Sequence, residues 1–323
     1  MSGNAEGLES IVAGELALPV RPSVEWLAGA LAERHGAAVL GVLFYGSCLR
    51  QTTDEGVLDF WLVVDDYRHA YASPVLALAS TIAPPTVFYL ERDYEGRRLR
   101  TKFGVISRRA FARGTSFDAS HPYVFARFAQ PARLLACRDD EARRFFVACI
   151  ARSIEVMVGR LVFLLPARGH VMRFSLAAFW QEAFRRSYDS ERRPEAEETI
   201  RGLYLAHAER YDDAALRALR ALARRGAIGP LTEHPRSVAI AMSRSAIATG
   251  RLRWHGMRIV GRTLGLVRLL KTAFTFGDWV PYVLWKLERH TGRKLELSER
   301  QRRHPLLFGW PIILRQIARR NLR

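Results

Sequence analysis

The pattern of apolar and polar positions divides the chain into an extended first part and a helical second part. Residues 23–35 (SVEWLAGALAERH) carry helical spacing, with Ser23 as the expected N-cap, Trp26, Leu27 and Leu31 on one face, and Gly36 as the stop. An apolar run from Ala38 to Tyr45 has the length of a buried strand and is followed at once by Gly46-Ser47. After a polar turn (RQTTDEG), a second run, Val57–Val64, predicts the neighbouring strand. Neither run alternates cleanly, as expected for strands covered on both faces. Helical spacing over 67–80 follows, and Pro84-Pro85 introduces a strand from Thr86 to Leu90. A polar hairpin at Arg92–Arg98 leads to a further strand, Leu99–Ile106, and 107–135 is mixed. From Asp139 onward, helical spacing dominates at 141–165, 175–188, 195–209, 212–225 and 236–249. The expected fold class is α/β (α+β) with a mixed sheet over 8–135, a mainly helical domain over 136–250, and a basic amphipathic tail over 251–323.

Charge sharpens this division. The 323 residues hold 50 Lys+Arg against 32 Asp+Glu, a net charge of +18. After position 250 there are 17 basic and 4 acidic residues, so most of the excess sits at the end of the chain. A basic tail on a near-neutral body points to an anionic partner: a membrane surface, nucleic acid or phosphate-bearing ligands. The most apolar stretch, Phe145–Leu165, is interrupted by Arg152, Glu155 and Arg160, so no spanning helix is expected. Cys48, Cys137 and Cys149 lack the spacing of a zinc site or a disulfide framework. The start, MSGNAEGLES, has neither a basic n-region nor an apolar h-region. A cytoplasmic protein is expected, free or held at a membrane face.

The chemistry is concentrated at the strand, Gly46-Ser47, turn, strand arrangement with Asp59 inside the second strand. Gly-Ser at a strand exit lets backbone amides approach a triphosphate, and the serine hydroxyl adds a hydrogen bond. A carboxylate on the adjacent strand can then hold Mg²⁺ against those phosphates. Polymerase-β-like nucleotidyltransferases use this arrangement, normally with two alternating carboxylates on the second strand. Trp61 stands where the second would be. Taken by itself, the motif reads equally well as a hairpin turn with a solvated aspartate.

A longer resemblance changes that balance. The run Phe44–Tyr71 (FYGSCLRQTTDEGVLDFWLVVDDYRHAY) resembles the mitochondrial translocator assembly and maintenance protein family, which also lacks the second alternating carboxylate. Four further blocks follow in the family's order: Arg98-Leu99 with Lys102–Ser107, Tyr123–Leu135 with Arg127, Gln130 and Pro131, Ser187–Arg193, and Lys271–Gly277. The family makes CDP-diacylglycerol from CTP and phosphatidate for cardiolipin synthesis, so the resemblance implies a nucleotidyltransferase core over 8–135 and phosphatidate cytidylyltransferase activity. It implies that Gly46 and Ser47 cradle the β- and γ-phosphates of CTP, and that Asp59 binds Mg²⁺ with Glu191 as the second carboxylate. Arg193 would neutralise phosphate, and Arg127 and Lys271 would contact phosphatidate or nucleotide. Lys102, an ammonium placed mid-strand, calls for a phosphate partner on its own account. Asp59, Glu191 and Lys102 are thus the expected catalytic set. Asp65 and Asp66 are expected to hold a second ion or cap the next helix. The histidines show no ligand or triad grouping.

A lipid substrate gives the tail a purpose. Segment 251–270 interleaves basic residues with Trp254, Met257, Ile259, Val260, Leu264 and Leu266. The end of the chain adds Leu306, Leu307, Phe308, Trp310, Ile312 and Ile313 before arginines from Arg315. Apolar insertion combined with attraction to anionic lipid would hold a peripheral protein at the cytoplasmic face of the cell membrane. No nucleic-acid partner is expected. Two other readings remain open: the same fold acting on a different phospholipid, sugar or antibiotic, and a non-catalytic basic membrane- or RNA-binding relative.

Overall fold

The two central apolar runs become the middle of a five-stranded sheet in the computed structural model, which describes residues 5–275 apart from 194, 235 and 236. Strands β1 (Val39–Tyr45), β2 (Val57–Val64), β3 (Thr86–Tyr94), β4 (Arg97–Ser107) and β5 (Arg133–Cys137) are ordered β3-β4-β2-β1-β5. β2 runs parallel to β4 and antiparallel to β1, so the sheet is mixed, as expected. Cross-strand register sets Tyr45 beside Asp59, and Asp59 beside Lys102. Paired residues share a face, so these three side chains stand in a row.

The pleat sorts the rest into two cores. Val42, Phe44, Leu58, Phe60, Leu62 and Phe103 pack under helix α2 (Pro22–His35). Leu43, Trp61, Val63 and Ile106 face a thick helical layer. The helices are α1 (Ala5–Leu16), α3 (Ser47–Arg50), α4 (Tyr67–Ala70), α5 (Pro74–Ile82), α6 (Arg108–Gly114), α7 (Phe125–Phe128), α8 (Asp140–Leu161), α9 (Leu176–Ser190), α10 (Glu197–Leu205), α11 (Ala208–Arg224) and α12 (Arg244–Thr275). α8 runs through the middle of that layer, its Phe146, Ile150, Ile154 and Met157 fully buried. The core is continuous from Leu43 and Trp61 through Phe146 and Trp180 to Trp254 and Met257, across the expected divisions at 135/136 and 250/251.

Several local expectations are corrected. Ser23 does not cap α2: Pro22 opens the helix after Arg21, and the Ser23 hydroxyl donates to Asp54 at 2.7 Å. Residues 67–80 break into α4 and α5. The helix expected at 236–249 begins only at Arg244, because Ser237–Ala241 forms strand β8. Val238 and Ile240 are buried there, and the strand lies between β6 (Val171–Phe174) and β7 (Leu231–His234) in a second sheet. The N-terminal segment forms α1, whose Leu8, Val12 and Leu16 at i, i+4, i+8 complete the core against α8.

Across position 250 the described chain is one helix, α12. Trp254 and Met257 pack inward, whereas Leu252, Ile259, Val260 and Leu266 remain exposed. Residues 276–323, with the second apolar cluster and the end of the Lys271–Gly277 block, lie outside the described residues. No helix among the described residues is long and apolar enough to cross a membrane.

Candidate functional site

Where β1 ends, the chain turns sharply into α3. Gly46 makes that turn with φ near +92°, and a Cβ on it would lie 2.8 Å from the Asp59 Oδ2. Only glycine combines this backbone with so close an approach. The turn presents Ser47 at the mouth of a cavity of about 310 Å³, whose lining includes Tyr45, Gly46, Ser47, Asp59 and Lys102 from the sheet side. Arg127 arrives from α7, and Tyr188, Glu191 and Arg193 from the end of α9. Residues far apart in the chain therefore meet in one small hollow.

Asp59 forms the floor. It is largely enclosed by protein, which deprives its carboxylate of water. Desolvation pushes its pKa up, against the opposing pull of Lys102, Arg193, Arg127 and Arg50. Tyr45, its neighbour on β1, is pushed up as well, by burial first and by the Asp59 charge second. The Tyr45 hydroxyl accepts a hydrogen bond from the Trp61 indole at 3.2 Å. Trp61 thus fills the place of a second alternating carboxylate with an aromatic wall, stacked edge-on against Phe128 of α7.

Glu191 reaches the same cavity, but its oxygens are engaged. Arg127 donates from Nη1 to Oε1 and from Nη2 to Oε2, both at 2.7 Å, and both residues are largely buried. Burial alone would lower the Arg127 pKa; the carboxylate and the Tyr123 and Tyr45 hydroxyls outweigh it and hold that guanidinium charged. Arg193 stands 4.0 Å from Oε2 of Glu191, the oxygen that Arg127 Nη2 also meets, and pairs with Glu195 at 3.7 Å. As a metal ligand, Glu191 would have to exchange Arg127 for the ion; as described, it is that arginine's counter-ion.

Helix α12 braces this corner from outside. Arg262 donates to the Asp189 carboxylate at 2.6 Å, and Gly261 packs against the Ser190 carbonyl, fixing the turn that carries Glu191. The buried Arg268 guanidinium lies 3.8 Å from the Tyr123 ring centroid, and Arg127 lies 3.7 Å from the same centroid. An aromatic face attracts a cation, so Tyr123 is gripped by two guanidinium groups. Arg268 also meets His121 Nε2 at 2.5 Å. Burial first, then the charges of Arg268 and Arg127, push the His121 pKa down to about 3.

Seven of the eight residues expected at the site, Gly46, Ser47, Asp59, Lys102, Arg127, Glu191 and Arg193, line this cavity. Lys271 is the exception. Its ammonium donates to the Ala83 carbonyl at 2.6 Å and to Thr86 Oγ1 at 3.0 Å, beside the edge strand β3. Asp66 caps α4 by accepting from the Arg68 amide, and Asp65 pairs with His69, so neither reaches the cavity. Polar residues that the sequence did not single out as ligands, among them Arg50, Tyr188, Glu195 and Thr199, also line it. Arg50 was discoverable: it lies one helical turn after Ser47, on the same short helix.

The donor chemistry is mixed. Four cations, Arg50, Lys102, Arg127 and Arg193, face three carboxylates, two of them already paired with arginine. Among the described residues no group of three or more His, Cys, Asp or Glu side chains is arranged for a metal ion. Mg²⁺, however, is commonly held by one or two carboxylates with substrate phosphates completing its shell. Asp59, close to cationic groups suited to phosphate, fits that pattern. No known protein-family model matches the chain, and no curated protein matches its sequence.

Proposed function

We propose that this protein is a Mg²⁺-dependent nucleotidyltransferase of the polymerase-β-like type, transferring cytidylate from CTP to phosphatidate to form CDP-diacylglycerol and pyrophosphate. The observation that carries this reading is the meeting of Ser47, Asp59, Lys102 and Arg193 in one cavity behind the Gly46 turn. Its volume lies at the small end of the range for small-molecule sites, and its polar, cation-rich lining suits phosphates.

Each side chain has a role in this reading. Ser47 would donate to a β- or γ-phosphate oxygen, while Lys102, Arg50 and Arg193 would offset the phosphate charge. Asp59 would hold Mg²⁺, and the ion, when bound, would withdraw charge from the phosphates. Arg127, fixed by Glu191 on one side and Tyr123 on another, would present a charged group already aligned toward the reacting phosphates. Preformed alignment of this kind lowers the barrier without requiring reorganisation during the reaction.

In the transfer, a phosphate oxygen of phosphatidate forms a bond to the α-phosphorus as the bond to the bridging oxygen of pyrophosphate breaks. The nucleophile is already an anion, so no strong general base is needed. That difference from hydroxyl-activating relatives accounts for Trp61 in place of a second alternating carboxylate. A lipid acceptor also agrees with the apolar positions that α12 leaves exposed, and it places the protein peripherally at the cytoplasmic face of the cell membrane.

The test is formation of lipid-soluble label from radiolabelled CTP, Mg²⁺ and phosphatidate vesicles. Labelled CDP-diacylglycerol that depends on all three supports the reading. Transfer to a sugar or a free hydroxyl, with phosphatidate inert, would keep the fold assignment and discard the acceptor. No Mg²⁺-dependent CTP turnover with any acceptor would discard the enzyme.

A further inference from the structure

A second hollow is larger than the Asp59 cavity. A groove of about 1080 Å³ lies between α5, α6 and α12, with Ala77, Ile106, Ala110, Val124 and Leu264 among its apolar lining. Arg68, Arg109 and Arg113 stand along it, all exposed and, among the described residues, in no ion pair. Asp65 and Asp66 line the same groove, Asp66 capping α4 and Asp65 beside His69, so three arginines stand there against two carboxylates. The result is an apolar trough with a net-positive rim.

Its banks are apolar as well. Helix α5 turns Val75, Leu78 and Ile82 outward, at 77%, 63% and 66% exposure. Their spacing of i, i+3, i+7 makes one stripe, and Leu78 and Ile82 edge the groove. Opposite, Leu264 enters the groove from α12, and Lys271 touches the Ala83 carbonyl at the end of α5. Val260 and Val267 lie four residues before and three after Leu264, hence on the same helix face, and both are exposed. Two helices distant in sequence thus flank one groove with bare apolar stripes.

We propose that this face, comprising the α5 stripe, the Val260–Val267 side of α12 and Arg68, Arg109 and Arg113, is the surface that seats the protein on an anionic bilayer. Isolated exposed apolar residues are ordinary, but stripes from two elements joined by a groove mark an interaction surface. Charge selects the occupant. A second copy of the chain docking through the same face would bring two net-positive patches together, because a twofold interface repeats one patch. Lipid phosphates complement them, and acyl chains receive the valines, leucine and isoleucine. The choice of a bilayer rests on the lipid-substrate reading above. The surface moves the docking site from the tail alone to a face that includes α5, since Trp254 and Met257 of the tail pack inward.

The test uses the full chain without nucleotide and vesicles of phosphatidylcholine with or without phosphatidylglycerol. Each arginine near an anionic surface strengthens binding on the order of fivefold, so Arg109→Glu with Arg113→Glu should weaken partitioning roughly 25-fold or more. Leu78→Ser with Ile82→Ser should weaken it at least tenfold, and neutral vesicles should bind little. A polarity-sensitive dye on Leu78→Cys, in a Cys137→Ser background, should shift to the blue when anionic vesicles are added. Partitioning within about twofold of the parent for both double variants, or no dye shift, overturns the proposal. So does slow labelling of that cysteine in vesicle-free protein, which would mean that the chain's own residues 276–323 cover the groove. Concentration-dependent dimerisation abolished by the α5 substitutions would assign the face to a second copy instead. Mg·CTP binding measured on the same variants should stay within about twofold of the parent. If no CTP binds to any of them while the vesicle results hold, the cytidylyltransferase reading fails and the docking surface stands.

Discussion

Arg127 and Glu191 meet in a two-point ion pair, 2.7 Å at each oxygen, at the wall of the Asp59 cavity. The pair joins the short helix α7, between β4 and β5, to the end of α9, so it ties the two halves of the site together. Its burial decides its energetics. Breaking a buried pair from one side leaves an uncompensated charge, whereas removing both members can be nearly neutral. Glu191→Gln should therefore destabilise the protein by about 3 kcal/mol. Arg127→Met added to Glu191→Gln should recover most of that stability but not activity. Denaturant melts of the four members of this cycle check the coupling; additive losses would show that the pair contributes no mutual stabilisation.

Asp59 should behave oppositely in stability. Its folded-state pKa is raised, chiefly by desolvation, so the ionised form disfavours folding above the ordinary carboxylate range. That penalty shrinks as pH falls below the raised value and is gone only below the ordinary carboxylate range. Asp59→Asn should accordingly melt no lower than the parent, and by roughly a few degrees higher. Cytidylate transfer by the same variant should fall at least about a hundredfold, the loss typical of removing a single electrostatic group at a reacting phosphate. A variant that was both less stable and still active would reverse both expectations.

Much of this site was legible in the sequence because its parts are local. The strand-to-glycine transition at Tyr45-Gly46, the extended pattern around Asp59 and the mid-strand ammonium of Lys102 each follow from short-range physics. Pairing was less legible. Nothing in the spacing of Arg127 and Glu191, 64 residues apart, reveals that they neutralise each other, and the sequence reading gave Glu191 to the metal. Lys271 sat in a matching block, yet its contacts are at Ala83 and Thr86, because the face of α12 that carries it packs on the sheet edge. Strand β8 was hidden for a different reason. Five short residues shared between two neighbouring strands carry too little periodicity to outvote the long helix that follows. Helix α1 showed its Leu8, Val12, Leu16 stripe plainly, but polar and acidic flanking residues masked it.

Gly46 offers a sharper perturbation than any charge change. A methyl group there combines positive φ with an approach of 2.8 Å to the Asp59 carboxylate, so the backbone or Asp59 must move. Gly46→Ala should cost about 1–2 kcal/mol of stability. Its effect on Mg·CTP affinity should be much larger, at least about tenfold, since it displaces the carboxylate proposed to hold the ion. Thermal melts and nucleotide titration on one preparation separate the two effects.

His121 makes a pH-dependent prediction that involves no substrate. Its pKa is lowered from 6.5 to about 3, so between those values the unfolded chain binds a proton that the folded protein refuses. Stability therefore falls as pH drops through that window, by up to about 1.4 kcal/mol per pH unit for this one group. His121→Asn should flatten the decline. In the intact protein the His121 ring resonances should not titrate near neutrality by NMR; a midpoint close to 6.5 would show that the Arg268 contact does not hold the ring neutral.

The most direct test of the whole account is calorimetric titration of CTP, with and without Mg²⁺, into the parent protein and into Asp59→Asn. The account predicts saturable one-to-one binding that requires Mg²⁺ in the parent and is weakened at least about tenfold by the substitution. Equal CTP binding by both proteins, indifferent to Mg²⁺, would contradict it.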